Sequence, residues 1–76
     1  MRTLLYYLYE DGDENPIGVK AEIADNAAVP DKEELEYVKE GMLREHVLSY
    51  FNNPTLWYVE LLILDDDKVV STKTSI

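Results

Sequence analysis

The chain has 76 residues, of which 46% are hydrophobic, and its formal net charge is −9 from 16 acidic and 7 basic residues. This length suits one small domain, spanning residues 1–76, and the hydrophobic content is too high for a disordered tail. Because the chain contains no cysteine, disulfides and thiolate metal sites are excluded, and a reducing compartment is expected. The negative charge disfavours direct binding to nucleic acid or anionic lipid and favours a basic protein partner, unless it serves only solubility.

Two strands are predicted in the first third of the chain. Residues 3–10 carry apolar or aromatic side chains on both faces, which predicts an interior strand. One face carries Leu4, Tyr6 and Leu8, and the other carries Leu5, Tyr7 and Tyr9. The same segment is too short and too rich in tyrosine for a signal peptide, so we expect a cytoplasmic protein. After the turn residues 11–16, apolar and polar residues alternate over 17–24, which predicts an edge strand with one wet face and a hairpin to the first strand.

One helix is predicted over residues 32–51. Asp31 is a suitable N-cap, and Glu34 stands three residues later in capping-box spacing. The pair Asn52-Asn53 before Pro54 is expected to end the helix. Gly41 in the middle costs about 1 kcal/mol relative to alanine, so a close contact or a bend is expected there.

Two further strands are predicted after the helix. Residues 56–64 are apolar on both faces apart from Glu60, which predicts a second interior strand. We assign its uncharged face to the helix side; this face carries Trp57, Val59, Leu61 and Ile63. Residues 69–74 are more polar and predict the other edge strand, after an acidic turn.

These elements predict an α+β fold of the ββαββ type. Placing the two doubly apolar strands inside gives a four-stranded antiparallel sheet in the order 2-1-3-4, with the helix packed on one face. One helix covers only one face of such a sheet, so an apolar, tyrosine-rich face should stay open as a partner or dimer surface. This surface is predicted to carry one of the two faces of the first strand, either Leu4, Tyr6 and Leu8 or Leu5, Tyr7 and Tyr9, together with Leu56, Tyr58, Leu62 and Leu64. The alternative is that the sheet curls or the termini fold back to cover it.

A second predicted surface is acidic. The end of the second strand, the start of the helix and the last turn should lie at one end of the sheet. This gathers Asp25, Asp31, Glu33, Glu34, Asp65, Asp66 and Asp67. Such a cluster suits a basic groove on a partner protein. The alternative is helix capping together with an ordinary solvated turn.

The residues for catalysis or for a specific metal site are missing from the sequence. The segment from Asp13 fits several positions of a calcium-binding loop, but Ala24 stands where the bidentate carboxylate is needed. His46 is the only histidine and lies on the apolar side of the helix, where we interpret it as a packing residue. No phosphate-binding glycine loop occurs either. We therefore expect no enzymatic activity, no cofactor and no bound metal.

The leading hypothesis is a non-enzymatic acidic module that binds a protein partner and occludes a basic nucleic-acid-binding surface. No family motif is matched. In size and composition the chain resembles the small acidic inhibitors of phages and mobile elements, namely anti-CRISPR proteins and DNA mimics, and this resemblance is one of class alone. It would imply action in the host cytoplasm. The alternative is a structural homodimer that packs through the aromatic sheet face and has no inhibitory role.

Overall fold

The computed structural model describes residues 1–47 and 56–75. Its elements in chain order are β1 (Arg2–Glu10), β2 (Gly18–Ala24), α1 (Lys32–His46), β3 (Trp57–Asp65) and β4 (Lys68–Thr74). The strands form one sheet in the order β2-β1-β3-β4, and all three neighbouring pairs are antiparallel. The predicted ββαββ fold, the strand order and the first hairpin are thereby confirmed.

The core lies between α1 and the two interior strands. Leu4, Leu8, Val59 and Leu61 are fully shielded from solvent. From the helix, Leu35, Met42 and Leu43 pack onto them, and Trp57 packs at the margin of this cluster. The prediction that the uncharged face of β3 meets the helix is confirmed. Since side chains alternate along a strand, the odd-numbered residues of β1 point to the opposite side.

The helix begins where the sequence predicts and ends earlier. The carboxylate of Asp31 accepts a hydrogen bond from the Glu34 backbone N–H at 2.8 Å, so Asp31 is the N-cap. Val47 is extended (φ −131°, ψ 95°) and its N–H donates to the Leu43 carbonyl, which closes the helix at His46. The prediction that the helix continues to Phe51 is therefore wrong at Val47. Residues 48–51, and the predicted helix stop at residues 52–54, lie outside the described residues.

The end of the helix coincides with the edge of the sheet. The first strand residue of β2, Gly18, lies directly beneath the imidazole of His46: a Cβ at this glycine would be 2.5 Å from Cδ2 of the ring. The ring of His46 thus packs on Gly18, while the residue as a whole is exposed. Gly41, in contrast, has open space around its missing side chain, so the predicted close contact is not there.

The strand β2 differs from the expectation of one wet face. After Gly18, every residue of β2 is exposed. Its polar residues Lys20 and Glu22 pair with Tyr6 and Leu4, which face the helix, and its apolar residues therefore point to the open side of the sheet. The reason is that α1 packs mainly on the interior strands β1 and β3 and buries no residue of β2 after Gly18.

Candidate protein-binding face

The side of the sheet opposite α1 forms a continuous surface across all four strands. We call it the open face. The strand register and the alternation of side chains assign to it Thr3, Leu5, Tyr7, Tyr9, Val19, Ala21, Ile23, Tyr58, Glu60, Leu62, Leu64, Val69, Thr72 and Thr74. Thirteen of these fourteen residues are uncharged. Within the described residues, Glu60 is the one charged member.

The open face is exposed to solvent. Val19, Ile23 and Val69 are 54%, 61% and 55% exposed, and the tyrosines and leucines of the interior strands are half-buried by their neighbours. Contiguous apolar surfaces that remain open in a single chain mark interaction sites. The prediction that one sheet face stays open is thus matched by the described part of the chain.

The structure decides between the two predicted faces of β1. Tyr6 is only 3% exposed and lies in the core on the helix side, because it shares the parity of Leu4 and Leu8, so its predicted place on the open surface is wrong. Tyr7, Tyr9, Tyr58 and Leu62 lie on the open face. Leu56 precedes β3 at the end of the sheet and is 71% exposed, and its part in this surface stays a prediction.

The residues that the predicted surface lacks come from the edge strands. Val19, Ala21 and Ile23 on β2 and Val69 on β4 widen the apolar surface from two strands to four. The alternation of β2 shows in the sequence that these residues share one side. Only the pairing of Val19 with Tyr7 shows that this side is the open one.

An aromatic pair lies at one end of the open face. Tyr9 and Tyr58 are directly opposite each other on β1 and β3, and their rings stack with centroids 5.2 Å apart and planes 14° from parallel. Burial raises the pKa of Tyr9, and the carboxylate of Glu60 and the neighbouring tyrosines raise it further. The rings are thus pre-positioned, and a partner would not have to order them on binding.

The acidic residues predicted to form one cluster divide into two groups. At one end of the sheet, Asp65 pairs with Arg2, with Nε to Oδ1 at 2.9 Å, and Arg2 also donates to the Ala27 carbonyl. This contact lowers the pKa of Asp65. Asp66 lies 3.2 Å from the terminal ammonium of Met1. Since Arg2 is opposite Ala24 on one side and Asp65 on the other, Asp25 follows β2 at this same end.

The remaining predicted acids stand at the start of α1. Asp31 is occupied as the N-cap, and Glu33 and Glu34 lie in the first turn, where acidic side chains stabilise the helix. The carbonyl of Pro30, just before the cap, accepts a hydrogen bond from Lys73 of β4 at 3.0 Å. These three acids are therefore on the helix side of the sheet. That these three acids bind a partner together with the acids near the β3–β4 turn stays a prediction.

Acidic turns bound the open face at both ends. At the end near Met1 stand Asp25, Asp66 and Asp67. At the other end, the turn after β1 carries Asp11, Asp13 and Glu14, all exposed. The surface is thus an apolar strip with a negative rim at each end of its strands.

Residues 1–47 and 56–75 hold no group of three or more histidine or carboxylate side chains arranged to bind a metal ion. Among the same residues, no helix has the length and apolar character that crossing a bilayer requires. No family model, curated protein or solved structure gives a significant match to this chain.

Proposed function

We propose that this protein is a non-enzymatic binding module that docks on a partner protein through its open face. The observation that carries the proposal is the exposed apolar surface across four strands, with its stacked tyrosines. Tyrosine and other large apolar side chains dominate the buried centres of protein interfaces. A face of this kind, left uncovered, costs solubility, and a partner that covers it offsets this cost.

The charges of the chain favour a partner with an apolar centre and a basic rim. Both ends of the open face carry exposed carboxylates, and the chain as a whole has a net charge of −9. Complementary charge at a rim raises the association rate and the specificity of docking. Grooves that bind nucleic acid have such basic rims, so the module would occlude a groove of this type on its partner.

A homodimer is the second candidate, and the apolar centre of the open face favours it. Two copies packed face to face would bury the tyrosines and leucines of β1 and β3. The rim opposes this arrangement, because both ends are acidic and acids meet acids in either orientation of the second copy. Glu60 would also enter the interface without a partner of opposite charge.

The first test is the mass in solution, measured by light scattering after size exclusion at low and at high salt. We expect a monomer of 8.8 kDa under both conditions. A stable dimer at both salt concentrations would overturn the proposal in favour of the homodimer, and Tyr58→Glu should then split that dimer.

The second test places a photo-crosslinking amino acid at Leu62, on the open face, or at Tyr37, which is 72% exposed on the helix. The Leu62 position should crosslink a partner in cells, and the Tyr37 position should not. The identified partner, once purified, should bind the chain more weakly as salt rises, and it should lose its own nucleic-acid binding. A partner captured equally from both positions would contradict docking through the open face.

The contribution of the rim is tested with the double variant Asp66→Asn, Asp67→Asn. Both residues have positive φ, 50° and 66°, and asparagine tolerates this backbone conformation better than lysine does. The variant therefore removes two charges and keeps the turn. Weaker binding to the purified partner is expected, and unchanged binding would remove the electrostatic part of the proposal.

A further inference from the structure

Glu60 occupies an unusual position in the middle of the open face. It lies directly between Tyr7 on β1 and Thr74 on β4. The next row on one side holds the stacked pair of Tyr9 and Tyr58, and the next row on the other side holds Leu5 and Leu62. A partly buried carboxylate is thus surrounded by three tyrosines and two leucines.

Among residues 1–47 and 56–75, no opposite charge pairs with the carboxylate of Glu60. In the part of the chain that the structure describes, it makes neither an ion pair nor a side-chain hydrogen bond. Two acids at the end of the sheet differ in this respect: Asp65 is held by Arg2, and Asp66, in the turn after it, by the terminal ammonium. A carboxylate in an apolar surface loses hydration when that surface is covered, and this loss is costly unless a cation replaces the water.

The side chain that suits these surroundings is an arginine. Its planar guanidinium donates to a carboxylate through two N–H groups and stacks on aromatic rings at the same time. A lysine ammonium would satisfy the charge but would use the flat rings less well. Arginine is also enriched at the energetic centres of protein interfaces.

We propose that Glu60, with Tyr7, Tyr9 and Tyr58, forms a receptor for one arginine side chain of the partner. This inference rests on the proposed function, since it names the group that the partner inserts into the open face. It also explains why one charge stands in an otherwise uncharged surface: with arginine bound, the charge is paired, and a partner or second copy without a cation at this place is rejected.

The site is tested with Nα-acetylarginine amide as the probe, titrated into isotope-labelled protein and followed by NMR. Saturable shifts are expected at Glu60 and at the three tyrosines, with weaker effects from the lysine and citrulline analogues. Glu60→Gln should weaken arginine binding by about tenfold or more, because it removes a charge-assisted hydrogen bond. The matched control is Glu22→Gln, the same change in the same sheet on the helix side, and it should bind like the wild type.

Three results would overturn the inference: equal binding of the lysine analogue, shifts of equal strength at the acidic turns, or unchanged binding by Glu60→Gln. If Glu60→Gln self-associates and the wild type shows no saturable shift, the carboxylate serves instead to keep copies apart.

The purified partner separates this inference from the proposed function. A partner that crosslinks at Leu62 and binds Glu60→Gln with unchanged affinity would refute the arginine site and leave docking through the open face intact. Saturable arginine binding in a chain that crosslinks no partner at Leu62 would refute docking through the open face and leave the arginine site intact.

Discussion

At the scale of single residues, the contact between Gly18 and His46 joins the end of the helix to the edge strand. The ring lies so close to the glycine that any Cβ there would force it to move. A glycine in a strand is otherwise unfavourable, so the close approach of the helix explains its presence at this position.

Gly18→Ala should destabilise the protein by about 1 kcal/mol, because the imidazole must leave its place over β2. The same substitution in a His46→Ala background should be neutral or stabilising, since the obstacle is gone. Urea unfolding of the two single variants and the double variant measures this coupling. Additive effects would show that the ring does not oppose the new methyl group.

The ion pair of Arg2 and Asp65 makes stability depend on pH. Because the folded-state pKa of Asp65 is lowered from 3.8, the pair contributes fully above the unfolded-state value and is lost as the pH falls through the lower folded-state value. The melting temperature of the wild type should therefore fall relative to that of Asp65→Asn between about pH 5 and pH 2. Parallel curves for the two proteins would contradict this role. The comparison cancels the protonation of the other carboxylates, which both proteins share.

At the scale of elements, α1 and β2 differ in what determines them: nearby residues determine where α1 starts, and pairing with a distant strand determines which way β2 faces. The start of α1 is determined locally by the Asp31 cap and the acidic first turn. The orientation of β2 is determined by its pairing with β1, which turns its apolar side away from the helix. The helix also contains a residue that its packing does not require, Gly41.

Gly41→Ala should stabilise the protein by about 0.5–1 kcal/mol, because alanine is the better helix former and the space around this position is open. The control is Gly12→Ala, which also has open space but stands at a φ of +92° and should therefore destabilise. Thermal or urea unfolding of both variants shows whether each substitution raises or lowers the free energy of unfolding. A destabilised Gly41→Ala variant would indicate a bend or contact at this glycine that the helix geometry does not show.

At the scale of the whole molecule, charge and layer architecture both limit stability. A single helix on a four-stranded sheet gives a thin core, and a net charge of −9 on 76 residues disfavours the compact state through repulsion. The few ion pairs described, such as that of Lys39 with Glu36, offset only part of this repulsion.

The melting temperature should therefore rise between low salt and about 0.5 M sodium chloride. At that salt concentration the Debye length is only a few ångströms, so repulsion between more distant charges is screened. Differential scanning calorimetry at neutral pH measures the change, and potassium chloride serves as the control for a specific sodium effect. The Asp66→Asn, Asp67→Asn variant should show a smaller rise. A melting temperature that falls with salt would mean that attractive pairs outweigh the repulsion.

The sequence by itself determined the identity and order of the five elements. Strands with apolar residues on both faces belong inside a sheet, strands of mixed polarity belong at its edges, and turn residues and the Asp31 cap separate the elements. These signals are local, and they were sufficient for the strand order and for the presence of an open face. The end of the helix does not show in the sequence, because the apolar pattern continues past His46, whereas the backbone is already extended at Val47.

Only the tertiary structure decided which side chains occupy the open face. In β1 both faces are apolar and aromatic, so periodicity does not distinguish Tyr6 from Tyr7. The helix lies on the side of Tyr6 and buries it, and Tyr7 stays half-buried on the open face. The register of β2 then adds Val19 and Ile23 to the open face. The physical reason is that alternation fixes which residues share a side, and long-range pairing alone fixes where that side points.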